Sequence, residues 1–304
     1  MNVICPLTKS NNIVLEREIE TASIIARYRN INVDVSKYFH NLNKIQIYRC
    51  LDTGYRFYYP FNLEGDNKFY EELQKRELYY IPWKWEHQVA SKYIKSGMKV
   101  LEVGCAKGDF INKLSQKGAT CTGLELNEKA IGEGQNRNLN ILKETVYEHA
   151  RNFPNSYDIV GSFQVLEHIS DVRSFIESLI KVLKKGGKLI ISVPNNDSTL
   201  DFAKSIFNVP PHHLGLWNQK SLVNMGMIFK LKLIDLRFEP LQEYHFKWYK
   251  RSFEEKLNTY NNFIKYKILK FLYFNLRLDK SYYKYIKCLS KVIKGHSIII
   301  IYSK

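Results

Sequence analysis

Long hydrophobic runs are missing from this 304-residue chain. No stretch of about 18 uninterrupted apolar residues occurs, and Met1 to Asn12 has no apolar segment of signal-peptide type. Neither a membrane span nor a secretory leader is therefore expected, and the cytoplasm is the expected location. Cysteine is scarce: Cys5, Cys50, Cys105, Cys121 and Cys288 are odd in number and scattered, unlike the even, regularly spaced set of a small secreted disulfide scaffold. No period of the solenoid kind repeats along the chain. The composition of a disordered chain is absent too, because 45% of the residues are hydrophobic and 14% aromatic, enough to build a core. Acidic residues are outnumbered, 30 against 46 Lys and Arg, giving a formal charge of +16. A positive field attracts nucleic acid, anionic lipid or acidic glycan alike, but here the charge is dispersed among Asn, Ile and Tyr, as on a solvated Lys-rich surface. No recognisable RNA-binding module and no Asn/Asp-Pro-Pro-aromatic signature of base-amino methylation is present, so a nucleic-acid partner is not expected.

Three regions follow from pattern. Residues 1–82 form an aromatic-rich extension, with Tyr55 to Pro60 the densest stretch and a helix expected near Asn67 to Tyr80. Residues 83–243 alternate short apolar runs with helical stretches, the signature of βαβ units around a parallel sheet. Strands are expected at Lys99–Val103, Thr120–Glu125, Asp158–Phe163, Lys188–Val193 and Phe229–Phe238, with a weaker one near Glu144–Glu148. Helices are expected at Trp83–Ile94, Asp109–Lys117, Glu128–Asn138 and Val172–Leu183, the last closed by Gly186-Gly187. Residues 244–294 read as a basic, aromatic helical insertion, and residues 295–304 carry the final core strand, Ser297–Tyr302. Within the insertion, Ile264 to Leu276 is apolar around much of its circumference with Lys265, Lys267 and Lys270 interleaved, a pattern that suits packing on its own domain or lying on a membrane surface.

The chemistry is written most clearly at Val100 to Phe110. A buried-strand run, Val100-Leu101-Glu102-Val103, breaks into Gly104-Cys105-Ala106-Lys107-Gly108 just before a helix. Glycine permits a sharp turn and close approach of a ligand to the main chain, and a helix start offers free N–H groups to an anionic group. The Gly-Lys-Ser/Thr ending of a phosphate loop is absent, and the spacing is G-x-x-x-G rather than the G-x-G-x-x-G of dinucleotide sites. Glu102 would repel a pyrophosphate but suits a ligand carrying ammonium and sulfonium charge. Glu125, about twenty residues on at the end of the next strand, stands where an acid in this architecture meets ribose hydroxyls.

With those residues in place, the sequence resembles a class I S-adenosylmethionine (SAM)-dependent methyltransferase, of the branch that includes ubiquinone-biosynthesis O-methyltransferases and many glycan and natural-product methyltransferases. The segments carrying the resemblance are Val100 to Gly108, Gly123 to Asn127, Asp158 to Ile169 and Leu183 to Asn195, across about residues 83–240 plus the last strand. The resemblance implies a Rossmann-like α/β fold with seven mostly parallel strands, helices on both faces and the last strand antiparallel. It implies SAM as methyl donor and S-adenosylhomocysteine as product. Glu102, Gly104 and Gly108, with Cys105, Ala106 and Phe110 of the same turn, would border the methionine part; Glu125 and Leu126 the ribose; Arg151, Asn152 and Phe153 the adenine; and Gln164 the sulfonium side. Some relatives begin with two CxxC pairs of a small zinc ribbon. Here those places read Cys5-Pro6-Leu7-Thr8 and Cys50-Leu51-Asp52-Thr53, so each pair has lost a thiolate and a relic without metal is expected.

Methyl transfer from a sulfonium is an in-line displacement, so the protein has to align the acceptor and remove a proton from a hydroxyl. Glu167 and His168, just beyond the fourth strand, and His212 and His213, in the loop after the fifth, are the candidate bases; His168 and His213 are preferred. Each histidine also suits a loop-anchoring hydrogen bond. Tyr79, Tyr80, Trp83 and Trp85 suit either an aromatic lid or core packing. The expected acceptor is a small molecule or saccharide, with peripheral membrane contact as the alternative favoured by the insertion.

Overall fold

The computed structural model of the chain describes residues 3–74, 81–198, 205–259, 264–275 and 278–304. The N-terminal extension contains β1 (Ile13–Glu20), α1 (Thr21–Arg29), β2 (Lys44–Cys50), β3 (Arg56–Tyr59) and α2 (Asn67–Gln74). The core follows as α3 (Trp85–Ala90), β4 (Lys99–Val103), α4 (Asp109–Ser115), β5 (Thr120–Leu124), α5 (Glu128–Gln135), β6 (Ile141–Leu142) and α6 (Val146–Asn152). It continues as β7 (Tyr157–Phe163), α7 (Val172–Val182), β8 (Leu183–Pro194), β9 (Gly215–Leu216), α8 (Gln219–Ile228) and β10 (Lys232–Pro240). The insertion supplies α9 (Phe246–Thr259), α10 (Ile264–Asn275) and α11 (Leu278–Leu289), and β11 (Lys294–Ser303) closes the chain.

The main sheet has seven strands in the order β10-β11-β8-β7-β4-β5-β6. β4 to β8 pair in parallel, whereas β11 lies antiparallel between β8 and β10, as the resemblance implied. Parallel strands buried on both faces read as continuous apolar runs, and β4 and β8 do so because each face has its own cover. Leu101, Val103, Val160, Leu189, Ile191, Ile298 and Ile300 pack with α6, α7 and α8. Their neighbours Val100, Ile159, Ile190, Ile299 and Ile301 pack on the other side with α3, α4 and α5. Strand order reverses at β4, whose partners are β5 on one side and β7 on the other, so the crevice beyond the carboxyl ends of β4 and β7 is where this architecture holds ligands.

Two expectations are corrected. The strand near Glu144–Glu148 is the start of a helix: the Thr145 hydroxyl accepts from the Glu148 amide while the Glu148 carboxylate accepts from the Thr145 amide, a reciprocal cap that begins α6. The sixth strand is instead the two-residue β6. Gly186-Gly187 does not close a helix at a distance; β8 starts at Leu183 and the glycines sit in a bulge, where pairing jumps from Tyr157↔Leu183 to Ile159↔Lys188. Gly186 takes φ +77° there, a conformation glycine adopts without strain. The helix expected to reach Tyr80 is seen to Gln74, its remainder lying outside the described residues.

The extension forms a second, antiparallel sheet, β1-β2-β3-β9, whose last strand comes from the loop after β8. Its two knuckle-like turns bring Cys5, Thr8, Cys50 and Thr53 together. The Cys5 and Thr53 residues are fully covered, the Thr8 hydroxyl stands 3.6 Å from the Cys50 sulfur, and the turn is closed by the Cys50 amide donating to the Tyr55 carbonyl at 2.8 Å and the Gly54 amide donating to the Cys50 carbonyl at 2.7 Å. These four positions hold two thiols and two hydroxyls.

Candidate active site

A cavity of about 1010 Å³ opens at the predicted crevice. Its floor on one side is the turn after β4. Gly104 and Gly108 take φ +77° and +76°, and Ala106 φ +48°, so the chain folds back on itself within five residues. A β-carbon on Gly104 would lie 2.4 Å from Val165 Cγ2, which ties this turn to the end of β7. Gly104, Cys105, Ala106 and Phe110 line the cavity. Gly108 faces the other way, where a β-carbon would meet Leu139 and Ile141 at 2.8 and 2.9 Å, so it shapes the turn from behind.

Two acids stand over this turn. The Glu125 carboxylate accepts the amides of Ala106 at 2.9 Å, Leu126 at 2.8 Å and Asn127 at 2.9 Å. A carboxylate has about four lone-pair sites, so this one fixes both loops and keeps capacity for a ligand hydroxyl. Glu102 is 4% exposed, and its Oε2 has no hydrogen-bond partner among the described residues. Burial, reinforced by Glu125 and Asp109, holds its carboxyl well above the usual range. A buried acid without a partner is costly, and an ammonium group placed beside it relieves that cost; the residues present therefore fit the amino-acid end of SAM.

Leu126 also lines the cavity, but Arg151, Asn152 and Phe153 do not. Because the cap starts α6 at Val146, these three are carried to its far end, where Phe153 is exposed and stacks on His149 with centroids 4.5 Å apart. The wall expected from them is made by Glu144, Thr145, Val146 and Tyr147. Gln164, at φ +56°, lines the cavity; its amide nitrogen donates to Glu86 at 3.4 Å, Ser192 at 3.1 Å and Ser297 at 3.3 Å.

All four candidate bases line the cavity and meet one another. Ring centroids are 4.7 Å apart for His168 and His212, 4.9 Å for His168 and His213, and 4.5 Å for His212 and His213. Burial lowers the histidines, His168 to about 4 and His212 to about 3, with His213 held well below its usual value; all three are neutral near pH 7. Burial raises Glu167 to about 8, and its Oε1 lies 3.9 Å from His168 Nε2.

Further residues had no signal in the sequence. Glu86 of α3, Glu239 at the end of β10, Tyr244, His245 and Trp248 at the entry to the insertion, and His296 of β11 line the far end of the cavity, although more than 200 positions separate the first from the last. Burial, then the charge of Glu86, raises Glu239 to about 7; it accepts from the Tyr244 hydroxyl at 3.2 Å and the Ser297 amide at 3.1 Å. Tyr70 of the N-terminal extension also reaches in, its hydroxyl 3.4 Å from His168 Nδ1. Trp83 and Trp85 do not line the cavity; both pack on the core around Phe110, where the Trp83 ring lies 6.0 Å from Phe110 and under the Lys113 ammonium. Tyr79 and Tyr80 fall outside the described residues.

The profile of the family described as "Methyltransferase domain" matches residues 77–260. Ubiquinone biosynthesis O-methyltransferase of Erwinia tasmaniensis is 29% identical over 165 residues, which are 52% of this chain and 64% of that protein. The protein of the same name from Klebsiella pneumoniae subsp. pneumoniae is 33% identical over 107 residues, 33% of this chain and 44% of the relative. The chain thus spans less than two thirds of the length of these curated relatives. Among solved structures, a SAM dependent methyltransferase from Archaeoglobus fulgidus superposes with a TM-score of 0.50 at 18% identity, over 71% of this chain and 90% of that one, a likeness of fold.

Proposed function

Since the chain belongs to the methyltransferase domain family, and is a methyltransferase for which SAM binding is implied, we propose that it methylates a hydroxyl or amine of a small, hydroxyl-rich acceptor, a saccharide unit by preference. One observation carries this reading. The cavity continues from the Glu102–Glu125 end into a chamber lined by Glu86, Glu239, Tyr244, His245 and Ser297, a set of donors and acceptors that suits several hydroxyl groups better than a hydrocarbon chain.

SAM, when bound, supplies a methyl carbon that is attacked in line as its bond to sulfur breaks. Glu102 would hold the ammonium group and Glu125 the ribose, with Tyr147 and its neighbours in α6 against the adenine. The acceptor would lie between Gln164 and the histidines, its oxygen forming the new bond to carbon and its proton passing to the cluster of Glu167, His168, His212 and His213. Of this cluster the Glu167 carboxyl, raised to about 8, lies nearest the neutral range in which a group exchanges protons readily, while the neutral imidazoles can accept hydrogen bonds and relay the proton.

Similarity to ubiquinone biosynthesis O-methyltransferases favours a second reading, a lipid quinone acceptor, and so does α10, where Ile264, Ile268, Phe271 and Leu272 are exposed. Among the described residues no helix is long and apolar enough to cross a membrane, so such contact would be peripheral. Turnover of methyl-labelled SAM against nucleotide sugars, free saccharides and a short-chain quinol, with and without anionic vesicles, separates the readings. Methylation of a sugar supports the first; turnover confined to the quinol in the presence of vesicles replaces it with the second.

A further inference from the structure

The three imidazoles at the acceptor end are held in different ways. His168 Nδ1 donates to the His212 carbonyl, and the Gln164 backbone is a second partner of the same ring. His212 Nδ1 donates to the Phe207 carbonyl at 2.9 Å, and its ring packs against Phe69, Tyr70 and Phe207. His213, buried and lining the cavity, is held by a side chain instead: its Nδ1 meets Asn208 Oδ1 at 3.1 Å. Its Nε2 has no hydrogen-bond partner among the described residues.

An amide offers an acceptor at one end and a donor at the other, so the end of Asn208 that faces the ring decides which ring nitrogen carries the proton. Asn196, twelve positions earlier in the chain, settles it. Its Nδ2 donates to the carbonyls of Pro194 at 3.3 Å and Trp217 at 3.1 Å, groups that only accept. Its Oδ1 is thereby left to accept from Asn208 Nδ2 at 2.9 Å, and Asn208 Oδ1 is turned toward His213. The Nδ1 of His213 therefore carries the proton and its Nε2 the lone pair. Pro194 ends β8 and Trp217 follows β9, while the Asn208 carbonyl is held by the Tyr58 hydroxyl at 2.7 Å. The state of the ring is thus set from the sheets, through two buried or half-buried amides, rather than by its own loop.

We propose that Asn196 and Asn208 are positioning residues for methyl transfer: they fix His213 as its Nδ1–H tautomer, so that Nε2 takes the proton of the acceptor group being methylated. The proposal rests on the reading of the protein as a methyltransferase and names the member of the histidine cluster that first receives the proton. With the opposite tautomer Nε2 would present an N–H to the acceptor and could take no proton from it. A hydrogen bond at one ring nitrogen is the usual device for setting the state of the other, and an amide does it without adding a charge. As the acceptor atom bonds to the methyl carbon, the carbon–sulfur bond breaks with its electron pair staying on sulfur, and the acceptor proton passes to Nε2. Burial holds the free His213 ring well below its usual value, because creating charge there is costly. In the reaction the positive charge is moved from the sulfonium to the ring, not created, and the imidazolium keeps its Nδ1–H bond to Asn208.

The tautomer can be read without knowing the acceptor. Long-range proton–nitrogen correlation spectra of the nitrogen-15-labelled full-length protein near pH 8, assigned with His213→Gln, should show His213 protonated at Nδ1 and bare at Nε2. Asn208→Ala should move the ring toward the Nε2–H form. So should Asn196→Ala, which does not touch the ring and only frees the Asn208 amide. Asn208→Asp, which still offers an oxygen, should keep Nδ1–H. Circular dichroism and S-adenosylhomocysteine affinity within about twofold of wild type show that each variant is folded. With an acceptor that turns over labelled SAM, Asn208→Ala should lower kcat at least about tenfold and His213→Gln about 100-fold or more, the KM for SAM staying unchanged and Asn208→Asp restoring most of the loss. A wild-type ring protonated at Nε2 overturns the proposal, as does a tautomer indifferent to both asparagines or a kcat indifferent to Asn208→Ala. None of those results touches the methyltransferase reading; failure to find an acceptor counts against that reading alone, and the spectra still decide the state of His213.

Discussion

The Glu125 carboxylate accepts the Ala106 amide at 2.9 Å across nineteen positions of sequence, joining the turn after β4 to the end of β5. The same carboxylate holds the Leu126 and Asn127 amides, so one side chain both shapes the donor site and faces it.

Glu125→Ala should therefore weaken S-adenosylhomocysteine binding more than it weakens the fold. A hydrogen bond to a charged group contributes about 1.5–3 kcal/mol, which corresponds to roughly 10- to 150-fold in Kd. Isothermal titration measures it. An affinity within twofold of wild type would remove Glu125 from the cofactor site.

A different variant separates pH effects at the acceptor end. Burial and Glu86 raise Glu239 to about 7 in the folded chain, whereas an unfolded glutamate titrates near 4.3. Between those values the folded state keeps a proton that the unfolded state has lost, so stability falls as pH rises through this window. His245 and His296, both lowered by burial, act in the opposite sense up to the unfolded value of about 6.5, an overlapping window, but they are common to wild type and variant. Glu239→Gln should thus gain stability relative to wild type between pH 5 and pH 8, on the order of a few kcal/mol, as read from urea unfolding at each pH. A pH-independent difference would mean that Glu239 is ionised in the folded protein.

How legible these sites were depends on how far apart their parts lie in the chain. The donor half is built within one βαβ segment, from Glu102 to Glu125, where strand, turn and acid occur at fixed spacing; the sequence displays it almost whole. The histidine cluster was legible as residues but not as a unit, since forty-four positions separate His168 from His212 and nothing local announces that their rings meet. The far chamber was not legible, because Glu86, Glu239 and His296 come together only through sheet order, with β11 inserted between β8 and β10. The Thr145–Glu148 cap was visible as a T-x-x-E motif, and giving it precedence over the apolar pattern places the helix correctly.

That misplaced strand has a measurable consequence at the adenine end. With α6 starting at Val146, Tyr147 lines the cavity, whereas Arg151 sits exposed at the far end of the helix. Arg151→Ala should leave S-adenosylhomocysteine affinity within about twofold, the change expected of a surface substitution remote from a site. Tyr147→Ala should weaken it by roughly tenfold or more, since losing an aromatic stacking partner costs about 0.5–1.5 kcal/mol beyond the buried area it removes. Thr145→Ala tests the cap directly: it should destabilise the fold by about 1 kcal/mol and lower affinity through movement of Tyr147, an effect visible as a shift in thermal midpoint that added S-adenosylhomocysteine only partly restores. The reverse ranking, with Arg151→Ala the most damaging of the three, would return the adenine to the end of α6.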